Sequence, residues 1–210
     1  MITATNWDDH FATIGRRRNL VESIRIRQVR AAYLRLLDGV RVPDEPRVLE
    51  LGAGTGHASL ELVAHLGGRA TLVERNQVAL GLSRQIWQRR GLAGRVEHHE
   101  GDLLDFAGTG FDLVHSGGVV EHFHGPDQDR VVDAHARAVA PGGLLAILVP
   151  VDTWRYRSFR ATLRALGKWI YTDEVPWTLE QAPRLFGPRG FDLLATTDVG
   201  HERGYLFRKG

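Results

Sequence analysis

The sequence predicts an α/β fold built on a parallel sheet, and three observations carry that expectation. Short apolar runs alternate with helical patterns along most of the chain, the order that buries a sheet on both faces. The first such run, Arg47 to Leu51, breaks into three alternating glycines and then a helical stretch. The runs themselves are near-continuous in Val, Leu and Ile rather than alternating with polar residues, as parallel strands covered on both sides require.

Each element has its own signal. From Asn19 a helix is expected, with Leu20, Ile24, Ala31 and Leu34 at helical spacings, stopped by Asp38-Gly39. After the glycines, a helix runs from about His57 to Leu66 and ends at Gly67-Gly68. Ala70 to Glu74 reads as a second strand, and Asn76 can cap the next helix, whose apolar face is Val78, Leu82 and Ile86. Arg95 to His99 is the third strand, Phe111 to Ser116 the fourth and Leu144 to Val149 the fifth, with a helix from Pro126 to about Ala140 between the last two. Trp154 to Ile170 is helical in pattern, another helix lies near Leu179 to Phe186, and Phe191–Ala195 and Gly204–Arg208 finish as strands.

Composition bounds the rest. The 210 residues suit one domain with a real core, and the 43% hydrophobic and 25% charged content is that of a soluble globular protein. With no cysteine there is no disulfide framework, thiolate metal site or cysteine nucleophile. Asn6 to His10 interrupts any apolar leader, and Leu144 to Val149 is too short to span a bilayer. A cytoplasmic protein without membrane association is therefore expected. The net charge of +2 is weak for a nucleic-acid surface, and Arg16-Arg17-Arg18 reads as a solvated helix entry. Nucleic acid is not an expected partner.

The glycine loop is a ligand cradle at the carboxyl end of a strand. A dinucleotide fingerprint would place its third glycine at the sixth position, where His57 stands; Gly56 comes one place early. Glu74, at the tip of the second strand, can accept two ribose hydroxyls, and Asp102 after the third strand is placed for an adenine amino group. A nucleoside without a pyrophosphate fits better than NAD.

These residues carry a resemblance. Val48-Leu49-Glu50-Leu51-Gly52-Ala53-Gly54-Thr55-Gly56 resembles the first motif of the class I S-adenosylmethionine-dependent methyltransferases, of the small-molecule, type 11/25-like kind. Gly101-Asp102-Leu103, the run from Phe111 through Ser116-Gly117-Gly118 to Phe123, and Ala140-Pro141-Gly142-Gly143-Leu144 are similar to later motifs of that superfamily, in the right order. The resemblance implies a Rossmann-like seven-stranded sheet ordered 3-2-1-4-5-7-6 with strand 7 antiparallel and helices on both faces. It divides one domain into an N-terminal helical segment (1–46), a cofactor core (47–150), a lid-like insert (151–180) and a terminal helix and strand pair (181–210).

It also implies S-adenosylmethionine as cofactor, held by Glu50, Gly52, Ala53, Gly54, Thr55, Gly56, Glu74, Arg75, Asp102, Leu103, Ser116 and Gly117. His122, after the fourth-strand motif, is the candidate general base. No metal is expected: His122-Phe123-His124 lacks a third ligand, and the adjacent His98 and His99 face opposite ways on a strand. The acidic pair of catechol-type enzymes and the Asn/Asp-Pro-Pro-aromatic tetrad of amide and exocyclic-amine methylation are not apparent. Absence of cysteine excludes covalent C5-cytosine methylation. The expected activity is methyl transfer to an oxygen or nitrogen of a small-molecule acceptor, by a monomer or homodimer. A non-catalytic cofactor-binding scaffold, and a methyltransferase acting on protein or nucleic acid, are the alternatives. The insert from Trp154 to Trp177 is expected to act as a lid, its tryptophans excluding water and its arginines meeting an anionic or polar acceptor.

Overall fold

A computed structural model describes Trp7, Asp8, His10, Phe11 and residues 20–210, with the side chains of 20–23 not described. The basic triplet and the helix entry at Asn19 lie outside the described residues.

Seven strands form one sheet: β1 (Arg47–Leu51), β2 (Arg69–Glu74), β3 (Val96–Glu100), β4 (Phe111–Gly117), β5 (Val139–Pro150), β6 (Phe191–Val199) and β7 (Glu202–Lys209). Their order is β3-β2-β1-β4-β5-β7-β6. The first five run parallel, and β7 pairs antiparallel with both β5 and β6. The expected order and the antiparallel seventh strand are both observed.

The period of two along each strand sorts the core onto two faces. Leu49, Leu51, Val73, Val114, Leu145, Ile147 and Phe207 pack on one side with Val131, Val132 and Phe186. Val48, Ala70, Leu72, Leu113, Ala146, Leu148 and Leu206 pack on the other with Tyr33, Leu36, Leu60 and Trp87. The helices that cover these faces are α1 (Leu20–Leu37), α2 (His57–Leu66), α3 (Gln77–Arg89), α4 (Pro126–Ala138), α5 (Trp154–Ala165) and α6 (Gln181–Phe186). Asn76 caps α3 by accepting from the Ala79 N–H at 3.0 Å, as expected of that residue.

Several expectations are corrected. The buried stripe of α1 is Ala32, Tyr33, Leu36 and Leu37, while Ile24 is exposed. On α3 the buried face is Ala79, Leu80, Ser83 and Trp87, one position round from Val78, Leu82 and Ile86, because the large Trp87 ring sets the docking rotation. β5 begins at Val139: the Pro141-Gly142-Gly143 turn lies inside the strand's span, where pairing with β4 shifts register between Phe111 and Leu113. β6 extends to Val199 and β7 begins at Glu202, so the closing hairpin is longer than expected. Helix α5 ends at Ala165, because Gly167 adopts φ 62.

Beyond α5 the chain doubles back. Trp177 N–H donates to the Pro150 carbonyl (2.9 Å), Asp152 N–H donates to that of Trp177 (2.8 Å), and Val175 N–H donates to that of Glu121 (3.1 Å). The stretch from Trp169 to Trp177 is thereby laid over the carboxyl ends of β4 and β5.

Candidate functional site

A cleft of about 1750 Å³ opens at the carboxyl ends of the parallel strands, the usual binding location in an open α/β sheet. One end is lined by Glu50, Gly52, Ala53, Gly54, Thr55, Glu74, Arg75, Asp102, Leu103 and Gly117. The other is lined by residues that include His122, Tyr171, Asp173 and Glu174. Its volume exceeds that of a common single-ligand pocket.

The glycine loop turns on backbone that other residues resist. Gly52 has φ 67, and a Cβ there would lie 2.7 Å from Val119 Cγ2. Its N–H and that of Ala53 both donate to the Val73 carbonyl, at 2.9 and 3.0 Å, which ties the loop to the end of β2. Gly56 serves packing instead: a Cβ there would lie 2.5 Å from Leu72 Cδ1 and 3.2 Å from Trp87 Nε1, and the residue does not line the cleft.

Two acids brace this end. Glu74 Oε2 accepts from the Gly54 N–H at 2.7 Å and Oε1 from the Asn76 N–H at 2.8 Å. Held from both sides, the carboxylate is fixed at the β2 tip. Asp102 Oδ1 accepts from the Leu104 N–H at 2.9 Å, and Arg75 stands 3.9 Å from its other oxygen.

Glu50 is buried, and that burial pushes its carboxyl up to about 8. It accepts from the Ser59 N–H at 3.3 Å, and Ser59 Oγ lies 2.8 Å from His115 Nε2. His115 Nδ1 is 3.1 Å from the Tyr33 hydroxyl, which itself donates to the Ser116 carbonyl at 3.2 Å. Burial drives His115 down to about 3 and keeps it neutral. A polar chain thus runs behind the cleft from Glu50 to α1.

Ser116 is not brought to the cleft. Strand alternation turns its side chain toward α4, where Oγ lies 2.9 Å from His135 Nε2. His135 Nδ1 donates to the Val131 carbonyl at 2.7 Å, so Nε2 is the acceptor and the serine hydroxyl the donor. Ser116 does not line the cleft, and its carbonyl accepts from the Tyr33 hydroxyl.

At the far end, His122 lines the cleft with Nδ1 3.0 Å from Asp173 Oδ1. Burial lowers its pKa, and the Asp173 charge opposes that fall. His124 instead donates to the Asp173 carbonyl at 2.8 Å. His98 and His99 diverge as expected: His98 meets Ser83 Oγ at 3.0 Å, and His99 packs edge-on against Phe106. Glu121 and Glu174 join His122 here, and their potential ligand atoms lie within 4.8 Å of one another.

Sequence reasoning missed several lining residues. Trp7, Asp8, His10 and Phe11 come from the N-terminal segment, and Phe11 Cζ would lie 3.2 Å from a Cβ at Gly54. The Trp7 to Phe11 spacing, one helical turn, was the available signal. Arg25, Tyr33 and Glu202 also reach the cleft, from elements whose face no local pattern specifies.

The insert corrects its own expectation. Trp177 is buried core and Trp154 is exposed, leaving Trp169 as the tryptophan of the insert that lines the cleft. Its arginines do not meet an acceptor: Arg155 lies over the Trp154 ring, Arg157 pairs with Asp152 at 2.8 Å, and Arg160 lies over Trp169. Among the described residues the arginines of the cleft wall are Arg25, Arg30 and Arg75. The insert contributes carboxylates instead.

Comparison with known proteins agrees with this architecture. A family model described as a methyltransferase domain matches residues 48–143. Methyltransferase GfsG of Streptomyces halstedii is 31% identical over 168 residues, which cover 74% of this chain and 56% of that protein. The mitomycin 7-O-methyltransferase MmcR superposes with a TM-score of 0.72 at 21% identity, covering 90% of this chain and 54% of that one. An O-methyltransferase family protein from Burkholderia thailandensis gives 0.72 at 18% identity, over 99% and 64% of the two chains. The chain spans 27% and 56% of the lengths of the first two curated relatives it matches. Residues 48–143 thus match a methyltransferase domain, and the sheet order is the fold shared with these solved structures.

Proposed function

We propose that this protein transfers a methyl group from S-adenosylmethionine to an oxygen or nitrogen of a small-molecule acceptor. The observation that carries the reading is the single continuous cleft, with the glycine loop and Glu74 at one end and His122 at the other.

The residues present suit the cofactor. The loop brings bare backbone to the cleft where a Cβ at Gly52 would collide with Val119. Glu74 is an anchored acceptor for ribose hydroxyls, Asp102 with Leu103 is placed for the adenine edge, and buried Glu50 stands behind the loop for the amino group. When bound, S-adenosylmethionine supplies an electrophilic methyl group on a sulfonium.

The chain's own contribution is alignment and dryness. Holding donor and acceptor in line is worth up to about 7–11 kcal/mol, and the aromatic wall of Trp7, Trp169 and Tyr171 limits water at the far end. His122, kept neutral by burial and oriented by Asp173, takes the acceptor's proton.

Calorimetric titration with S-adenosylhomocysteine, using NAD and NADH as controls, tests the reading. Micromolar binding of the first alone, lost in Glu74→Ala, is expected; binding of a nicotinamide nucleotide instead overturns it.

A further inference from the structure

The acceptor end of the cleft gathers three buried acids. Glu121 is 1% exposed, Glu174 8% and Glu202 6%, and all three line the cleft. Glu174 Oε1 accepts from the Tyr156 hydroxyl at 2.8 Å, and Glu202 Oε1 accepts from Arg25 at 2.8 Å. Glu121 Oε2 is sealed from solvent and, among the described residues, has no hydrogen-bond partner. Burial pushes the Glu121 carboxyl well above its ordinary range, and the charges of Glu174 and Glu202 push further. Among the described residues Arg25 is the cation that acts on Glu121, and its guanidinium is already engaged by Glu202. The Glu121 carboxyl is therefore held protonated; a buried carboxyl oxygen without a partner is still retained at a cost, and a cationic donor in the cleft would satisfy it and restore the carboxylate.

Aromatic rings stand beside these acids. Trp7 is 5.3 Å from the His122 ring and 6.1 Å from Tyr171, and His10 is 5.9 Å from Tyr171. Carboxylates and aromatic rings lining one cleft suit an organic ammonium, which is drawn to both.

The same charges discriminate between nucleophiles. Transfer to a hydroxyl passes through an oxygen gaining negative charge, which neighbouring carboxylates oppose. Transfer to an amine leaves positive charge on nitrogen, which they stabilise as it develops.

Resting on the methyltransferase reading above, we propose that the acceptor is an amine carrying an apolar, ring-sized group, its nitrogen held between Glu121 and Glu174. The ammonium gives one proton to His122. The freed lone pair forms the N–C bond as the S–C bond breaks, its electron pair going to sulfur. The positive charge that leaves sulfur then rests on nitrogen, beside Glu121 and Glu174.

The test is calorimetry on the full chain saturated with S-adenosylhomocysteine, titrated with 2-phenylethylamine, 2-phenylethanol and 3-phenylpropanoate in turn, and with Mn²⁺. The amine alone should bind, with affinity reduced at least tenfold in Glu121→Gln and in Glu174→Gln. Glu121→Gln is isosteric and replaces a buried acid by a neutral amide, so it should fold with an unchanged or raised Tm. Binding of the alcohol or carboxylate as tightly as the amine, or amine binding indifferent to both variants, overturns the proposal. Glu121-dependent micromolar Mn²⁺ binding that displaces the amine overturns it in favour of a metal site. No probe binding to protein that does bind S-adenosylhomocysteine defeats the amine assignment alone; failure to bind S-adenosylhomocysteine defeats the underlying reading.

Discussion

His122 Nδ1 lies 3.0 Å from Asp173 Oδ1 across 51 residues of chain, joining the loop after β4 to the returning limb of the insert. The contact fixes the imidazole's orientation and holds the insert over the cleft. Asp173→Asn should lower kcat about 10–100-fold with a smaller change in KM, the scale of losing a positioned base. Because the Asp173 charge raises the His122 pKa, the acid limb of the kcat profile should move to lower pH in the variant. An unmoved limb would detach His122 from proton transfer.

Gly52→Ala places a methyl group 2.7 Å from Val119 Cγ2 on backbone at φ 67. Destabilisation of about 1–3 kcal/mol is expected from the strained backbone, together with loss of S-adenosylhomocysteine affinity. Denaturant unfolding and calorimetry read the two effects separately.

Three buried groups shape the stability of the ligand-free protein against pH. The Glu50 carboxyl rises from 4.5 to about 8 on folding. The folded state then holds the extra proton, so this contribution is full below pH 4.5 and is lost as pH rises toward 8. His115 and His135 fall from 6.5 to about 3 and about 4, so their contribution is full above 6.5 and is lost as pH falls. Together they put maximum stability near pH 6.5, with an alkaline slope of about 1.4 kcal/mol per pH unit from Glu50. Glu50→Gln should flatten that slope and steepen the acid side, where the Glu50 contribution opposes that of the histidines between pH 4.5 and 6.5; urea titrations from pH 5 to 8 check it.

Tyr33→Phe removes the hydroxyl that meets both His115 Nδ1 and the Ser116 carbonyl. With both partners left buried, a loss of about 1–3 kcal/mol is expected. Chemical denaturation measures it, and a change under 0.5 kcal/mol would mean that water replaces the hydroxyl.

The sheet and the cofactor end were legible because their signals are local. Glu74 ends β2, and Gly52 and Asp102 sit one and two residues beyond β1 and β3, so strand ends and glycine spacing bring them to one end of the sheet. The acceptor end was not, because its members converge from five places: Trp7 and His10, Arg25, Glu121 and His122, Tyr171 to Glu174, and Glu202. No periodicity relates those segments, and the fold-back that brings them together rests on backbone bonds between Val175 and Glu121 and between Trp177 and Pro150. The insert misled for a related reason. Its arginines alternate with apolar residues as a lid's would, yet Leu166 remains exposed, Arg157 pairs with Asp152 and Arg160 lies over Trp169 instead of facing the cleft. On α3 the apolar pattern was real but one position out, because Trp87 outweighs Val78 in setting the buried face.

The place of β7 has a consequence for how the molecule is assembled. β6 leaves the chain's growing end before β7 does, yet it touches the sheet only through β7, which pairs with β5 on one side and β6 on the other. During synthesis β6 therefore has no strand to join, and the exposed edge of β5 stays unpaired until Glu202–Lys209 emerges. Closure of the sheet is a late event governed by long-range pairing, the slow kind in folding. Glu202 rides on that strand, so the acid cluster of the cleft is completed only when the sheet is.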